Sequence, residues 1–156
     1  MKNLHKLHMD MVDLVSKQSN CVTDKVGAIV VKDDRAILEG YNGTVSGFTN
    51  CCDKFGGKDM AIGSKWRILH GKWSKAFEIH GEMNLICYAA KEGIALKGTT
   101  IYCTYSPCNN CLKHMIQAGI KVIVYKHEYE DNGIDDDSIN DRKELEKFVK
   151  LEHYKE

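Results

Sequence analysis

Proline is nearly missing from this sequence. The one residue of its kind is Pro107, and no low-complexity tract or internal repeat interrupts the 156 residues. Nothing marks a linker, so a single domain over residues 1–156, long enough to bury a core without disulfides, is expected. An excess of charge of either sign is also missing, with 22 Lys and Arg against 22 Asp and Glu. That balance lacks the basic surplus of a polynucleotide-binding surface and counts against a nucleic-acid polymer as partner. No apolar run approaches the length of a membrane span, which excludes a helical membrane anchor. The N-terminus, with Lys2, His5, Lys6, Asp10 and Asp13 among its apolar residues, does not read as a signal peptide. A soluble protein of the cytoplasm is the expectation.

Cysteine, by contrast, is plentiful, at positions 21, 51, 52, 87, 103, 108 and 111. An odd count without a secretion signal points to metal ligation and buried thiols in a reducing compartment. Two segments concentrate the chemistry: His80-Gly81-Glu82 and, further on, Ser106-Pro107-Cys108-Asn109-Asn110-Cys111. One imidazole and two thiolates, from His80, Cys108 and Cys111, would hold a zinc ion and leave its fourth tetrahedral position to water. Glu82 is not needed as a ligand and stands where a proton carrier would be. The order H-x-E followed by P-C-x-x-C is the signature of zinc nucleobase deaminases. A closed structural zinc site is the alternative; no fourth ligand beside Cys108 and Cys111 supports it.

Along the chain, Leu4, Leu7, Met11, Leu14 and Val15 recur at helical spacing over about residues 3–17, with His5 and His8 off that stripe. Residues 26–31 and 36–41 read as a hairpin about the polar turn 32–35. The loop from Gly40 to Gly47 holds three glycines with Asn42, Thr44 and Ser46, either an ordinary surface loop or one whose N–H groups approach a ligand. From Cys51 to about Lys75, Gly56, Gly57, Gly63 and Gly71 interrupt any period, and an irregular connection is expected. A connection that long is usually functional or held by something. Cys21, Cys51, His70 and Glu78 are candidate metal ligands that could hold it; free buried cysteines are the other reading. A helix over 82–92 stopped by Gly93, a strand at 99–103, a helix over 108–117 and a strand at 121–125 follow, the last three forming a parallel crossover. The acidic run 135–137 reads as a solvated loop, and residues 142–151 as a final helix with Leu145, Phe148 and Val149 inward.

These residues together resemble the deoxycytidylate deaminases of the cytidine deaminase superfamily, of the kind found in cells and in some large DNA phages. The resemblance runs from about Lys17 to Tyr129. It rests on Val26-Gly27-Ala28, Gly40-Tyr41-Asn42-Gly43, Asn50-Cys51-Cys52, Ile79-His80-Gly81-Glu82, Tyr105-Ser106-Pro107-Cys108 and Ala118-Gly119-Ile120-Lys121. It implies an α/β fold, a three-layer α/β/α sandwich with a mixed sheet of about five strands. It implies zinc-dependent deamination of dCMP to dUMP for thymidylate synthesis, with a deoxynucleotide as small-molecule substrate, activation by dCTP, inhibition by dTTP and a homo-hexamer. Deamination of dCTP or another cytosine nucleotide is the neighbouring reading, and a non-catalytic zinc-stabilised nucleotide-binding protein the remote one.

By the same resemblance His80, Cys108 and Cys111 hold the catalytic zinc and Glu82 shuttles protons. Asn42 meets the deoxyribose, Gly43, Gly81 and Tyr129 belong to the substrate site, and Val26, Gly27 and Lys91 to an effector response. Cys21, Cys51, His70 and Glu78 match a second, structural zinc site, with Cys52 the substitute for Cys51. Relatives more often carry alanine where this chain has Gly81.

Overall fold

Burial of apolar residues on both faces of one sheet decides the architecture. The computed structural model describes residues 4–129 and 142–156. The chain opens with α1 (Leu4–Ser16), then the hairpin β1 (Gly27–Lys32) and β2 (Arg35–Tyr41). Asp33 and Asp34 take positive φ at the hairpin tip, +49° and +62°, the left-handed pair that a two-residue turn needs and that aspartate tolerates better than most. Next come β3 (Gly43–Thr44), α2 (Cys51–Phe55), α3 (Lys65–Phe77), β4 (Glu78–Ile79), α4 (Gly81–Glu92), β5 (Thr100–Tyr105), α5 (Asn109–Gln117), β6 (Val122–His127) and β7 (Lys150–His153).

The five-stranded sheet has the order β2-β1-β5-β6-β7. β1 is antiparallel to both β2 and β5, whereas β5, β6 and β7 run parallel. Parallel strands need a crossover, and α5 supplies the one between β5 and β6. One face packs Ala28, Val30, Leu38, Ile101 and Ile123 against Leu85 and Ala89 of α4 and Leu112 and Met115 of α5. The other packs Ile29, Val31, Tyr102 and Val124 against Met9 and Val12 of α1. The result is the expected α/β/α sandwich with a mixed five-stranded sheet. Among the described residues no helix is long and apolar enough to cross a membrane.

Four expectations need correction. The inward stripe of α1 is His8, Met9 and Val12, while Leu7 and Leu14 are more than half exposed. A Cβ on Gly27 would meet Val12 O and Ser16 N at 2.7 Å, so β1 fixes which face of α1 lies down. His8 packs against Tyr102 with the rings tilted and their centroids 4.9 Å apart, and burial pushes its pKa down.

The stretch 51–75 is irregular only over residues 56–64, between two helices. Gly56 and Gly57 end α2, Ser64 caps α3 by accepting from Arg67 N at 3.1 Å, and Gly71 sits inside α3. One interior glycine costs a helix about 1 kcal/mol, too little to break one held from outside. The loop 40–47 contains β3, which pairs with β4 through Gly43↔Ile79 and Thr44↔Glu78. At the C-terminus, among the described residues, helix covers 142–146 and not 147–151, and residues 150–153 form β7; Val149 is buried but Phe148 is exposed. The acidic run 135–137 lies outside the described residues.

β2 and α4 approach more closely than side chains allow. A Cβ on Gly40 would stand 2.7 Å from Gly81 O and 2.8 Å from Leu85 Cβ. Gly40→Ala is expected to lower the unfolding free energy by about 1–3 kcal/mol, the usual cost of overpacking. Denaturant titration checks it, and a loss under about 0.5 kcal/mol would mean that the two elements are not in contact.

Candidate metal centre

His80 is the residue that opens α4, and Cys108 the residue that opens α5. Both have extended φ and ψ, and the Cys108 sulfur accepts the Cys111 N–H at 3.4 Å. Unpaired N–H groups and the positive end of the helix dipole favour thiolate there. The Cys108 thiol is pushed down to about 4, first by the Cys111 thiol and also by His80, against the opposing effect of burial. Both sulfurs lie 3.5 Å from His80 Nδ1. Glu82 follows in the first turn of α4, almost wholly buried, and burial pushes its carboxyl pKa up.

The second donor group is as compact. Cys21 Sγ is 3.7 Å from His70 Nε2 and 3.8 Å from Glu78 Oε2, and the His70–Glu78 pair is 3.7 Å apart. Cys51 Sγ completes the set, all four atoms lying within 4.8 Å of one another. Phe55, Trp66 and Trp73 pack around it as a small core of its own. Burial pushes the Cys51 thiol up to about 12 and lowers the His70 pKa. Glu78 Oε1 is buried with no hydrogen-bond partner. A buried carboxylate oxygen left unpaired is costly, and a divalent cation among these donors would neutralise it. Cys52 is exposed and directed at Asp53, outside the group.

One cavity of about 220 Å³ touches both groups. Its wall includes Glu82, His80 and Cys108 at one centre and Cys21, His70 and Glu78 at the other, with Asn42, Tyr105, Ser106 and Tyr129 beside them.

The sequence profile described as "Cytidine and deoxycytidylate deaminase zinc-binding region" matches residues 2–127. The chain belongs to the cytidine and deoxycytidylate deaminase family. It is 37% identical over 145 residues to the deoxycytidylate deaminase of Enterobacteria phage T4, covering 76% of this chain and 75% of the relative. The enzyme of that name from Saccharomyces cerevisiae is 32% identical, over 78% of this chain and 36% of the yeast protein. The crystal structure of dCMP deaminase from the cyanophage S-TIM5 in complex with dCMP and dUMP superposes with a TM-score of 0.75 at 34% identity, covering 99% of this chain and 98% of the other. Membership makes this member a nucleotide deaminase of the zinc-binding kind, and zinc the ion to test against its two donor groups.

The donor sets fit zinc. Tetrahedral bonds of about 2.3 Å to sulfur and 2.0–2.1 Å to nitrogen place S and N about 3.6 Å apart, against the 3.5 Å and 3.7 Å found. His80, Cys108 and Cys111 form a three-donor group, and among the described residues no further Cys, His, Asp or Glu joins it. That is the open arrangement of a catalytic site, whereas the four donors of the second group close theirs.

Other predicted site residues fall in varied places. Asn42 is buried at the cavity wall, its Nδ2 donating to Asp24 O and its Oδ1 accepting from Val26 N, each at 2.8 Å. It therefore holds the 24–26 loop rigid as well as facing the site. Tyr129 lines the cavity, and its N–H donates to Ser106 Oγ at 2.8 Å. Val26 also lines it. Gly81 is buried against Val26 O and Tyr41 Cα, with just enough room for an added Cβ at 3.3–3.4 Å. Gly43 is taken up in the β3–β4 pairing and Gly27 in packing against α1. Lys91 is exposed in the last turn of α4, nine residues or about 13 Å of helix beyond Glu82. None of these last three lines the cavity.

Sequence reasoning missed Arg142, whose guanidinium donates to Pro107 O at 2.7 Å and to Asn109 Oδ1 at 3.3 Å while pairing with Glu146. No local pattern announces it, because 33–35 residues separate the partners. Charged hydrogen bonds of this kind contribute about 1.5–3 kcal/mol. Arg142→Met is expected to cost about that much in denaturant unfolding of the metal-loaded protein; an unchanged midpoint would show that the contact does not hold the Pro107 turn.

Proposed function

We propose that this protein converts dCMP and water to dUMP and ammonia, supplying dUMP for thymidylate synthesis. The observation that carries the reading is the buried carboxylate of Glu82 in a cavity beside a three-donor zinc group, in a chain 34% identical to a structure solved with dCMP and dUMP. Zinc bound by His80, Cys108 and Cys111 supplies Lewis-acid activation that brings the pKa of a water towards about 7.

Glu82 accepts the proton of the attacking water, places it on N3 of the pyrimidine and then delivers a proton to the departing amine. The C4–O bond forms first; the proton that Glu82 gives the amine comes from the new C4 hydroxyl, and the C4–N bond then breaks to leave the C4 carbonyl of dUMP. One carboxylate serves all three transfers because it is fixed in the first turn of α4, two residues from His80. Asn42, with one amide proton committed to Asp24, keeps the other for the sugar. Tyr129 completes the substrate wall, and Gly81 stands behind it, packed against Val26 and Tyr41.

Cys21, Cys51, His70 and Glu78 hold the second, structural zinc in this reading. Its support is the donor spacing and the unpaired Glu78 oxygen. A homo-hexamer activated by dCTP and inhibited by dTTP extends the reading, supported by the resemblance, which assigns Val26, Gly27 and Lys91 to the effector response.

Ammonia release from dCMP, dCTP, cytidine and a short oligonucleotide, with and without dCTP and dTTP as effectors, tests the substrate. dCMP is expected to be the best; faster release from any of the others overturns the assignment. Glu82→Ala is expected to keep its zinc and lose about 10²–10⁴ in kcat, and a variant working at about a tenth of the normal rate would remove Glu82 from the proton path. Elemental analysis is expected to find two zinc ions per chain, one after Cys51→Ser and two after Cys52→Ser. Full zinc content in the Cys51 variant would remove that residue from the ligand set.

A further inference from the structure

We propose that Arg67 receives the 5′-phosphate of the substrate and so makes the cavity select a nucleoside monophosphate over the free nucleoside. The proposal rests on the dCMP reading above. Its ground is the distribution of permanent charge around the cavity. Among the described residues that line it, Arg67 is the one Lys or Arg, and residues 130–141 contain neither. The remaining charged lining residues are carboxylates, Asp24, Glu78 and Glu82. A phosphate dianion entering such a wall needs a cation with several donors, and a guanidinium presents five in a planar fork.

Arg67 stands one helical turn before His70 on α3, and residues three apart share a helix face. Ser74, four residues after His70, lines the same cavity. The backbone fixes this row through the structural donor group. His70 pairs with Glu78, and Glu78 precedes His80 by two residues, so the connected path from Arg67 to His80 runs through the second donor group, with the cation at one end and the reacting group at the other. A nucleotide has that polarity, with base and phosphate at opposite ends of the sugar.

Arg67 is half-buried and its guanidinium is weakly held. Among the described residues its one ion pair is a 3.9 Å approach to Asp24, whose carboxylate is largely exposed. Exposed pairs of that kind are worth about 0–1 kcal/mol, less than a phosphate offers. Arg142, by contrast, is committed to Pro107, Asn109 and Glu146 and does not line the cavity.

The test compares zinc-loaded wild type with Arg67→Ala and Arg67→Lys on dCMP and on 2′-deoxycytidine, with dUMP binding measured by calorimetry. Arg67→Ala is expected to raise KM for dCMP at least tenfold with kcat within about threefold. It should weaken dUMP to a similar degree, leave deoxycytidine turnover within about twofold and keep full zinc content. Arg67→Lys should recover part of the loss. Unchanged KM for dCMP and unchanged dUMP affinity overturn the assignment. So does an equal loss on dCMP and deoxycytidine, or a loss of zinc, since either marks a structural role. A wild type that releases no ammonia from dCMP fails at the earlier step and takes the substrate reading with it.

Discussion

Two helices begin at the same point in space, and that coincidence is what the rest of the molecule serves. His80 and Cys108 each stand one residue before a helix, and their ligand atoms meet at 3.5 Å although 28 residues separate them. Neither helix alone could place a donor there. α4 is set by the Gly40 contact with β2, and α5 by the parallel crossover between β5 and β6. The sheet therefore converts apolar packing, which is tolerant, into a donor geometry that is not. Charge follows from position: the Cys111 side chain, His80 and the Cys111 N–H in the first turn of α5 lower the cost of thiolate at Cys108, while burial keeps Glu82 reluctant to hold a negative charge.

The two donor groups are mechanically one. Glu78 and Ile79 form β4, which pairs with β3 in the loop after β2, and His80 follows directly. A ligand of the second group is thus two residues from a ligand of the first. The cavity has both groups in its wall, so whatever steadies Glu78 also steadies the histidine at the reacting end. Asn42 adds a third restraint by bridging the loop to the backbone at 24 and 26.

Much of this was legible in the sequence, and the misses share a cause. His80, Glu82, Cys108 and Cys111 stand at helix starts, where local spacing and capping rules apply, and Gly93 stops α4 in the left-handed conformation expected of it, at φ 68°. The hairpin and the β5-α5-β6 crossover carry strong local periods. α3 is hidden in the sequence because its glycines break the period and its apolar residues Trp66 and Trp73 pack on the small core of Cys21, Cys51 and Phe55 instead of the sheet. The face of α1 was misassigned because Gly27, a residue outside the helix, chooses it. β7 was read as the end of a helix because its one reason to be extended is the free edge of β6. Arg142 and Arg67 act through partners or surfaces distant in sequence, and a period cannot show those.

The small core around Cys21, Cys51 and Phe55 has a bearing on how such a chain can vary. Residues 50–77 contribute no strand to the five-stranded sheet and meet the rest of the protein at points that include Cys51 and His70 in the second donor group, Arg67 beside Asp24, and Trp73 and Phe77 against Phe48. A segment fixed at a few points tolerates gain or loss of residues between them, since loop-closure cost grows only slowly with length. Strand register and the reacting end would be untouched by such changes, while the wall that carries Arg67 and Ser74 would move. The fold thus separates the part that must stay constant for the chemistry from the part in which substrate range can be rewritten by insertion and deletion.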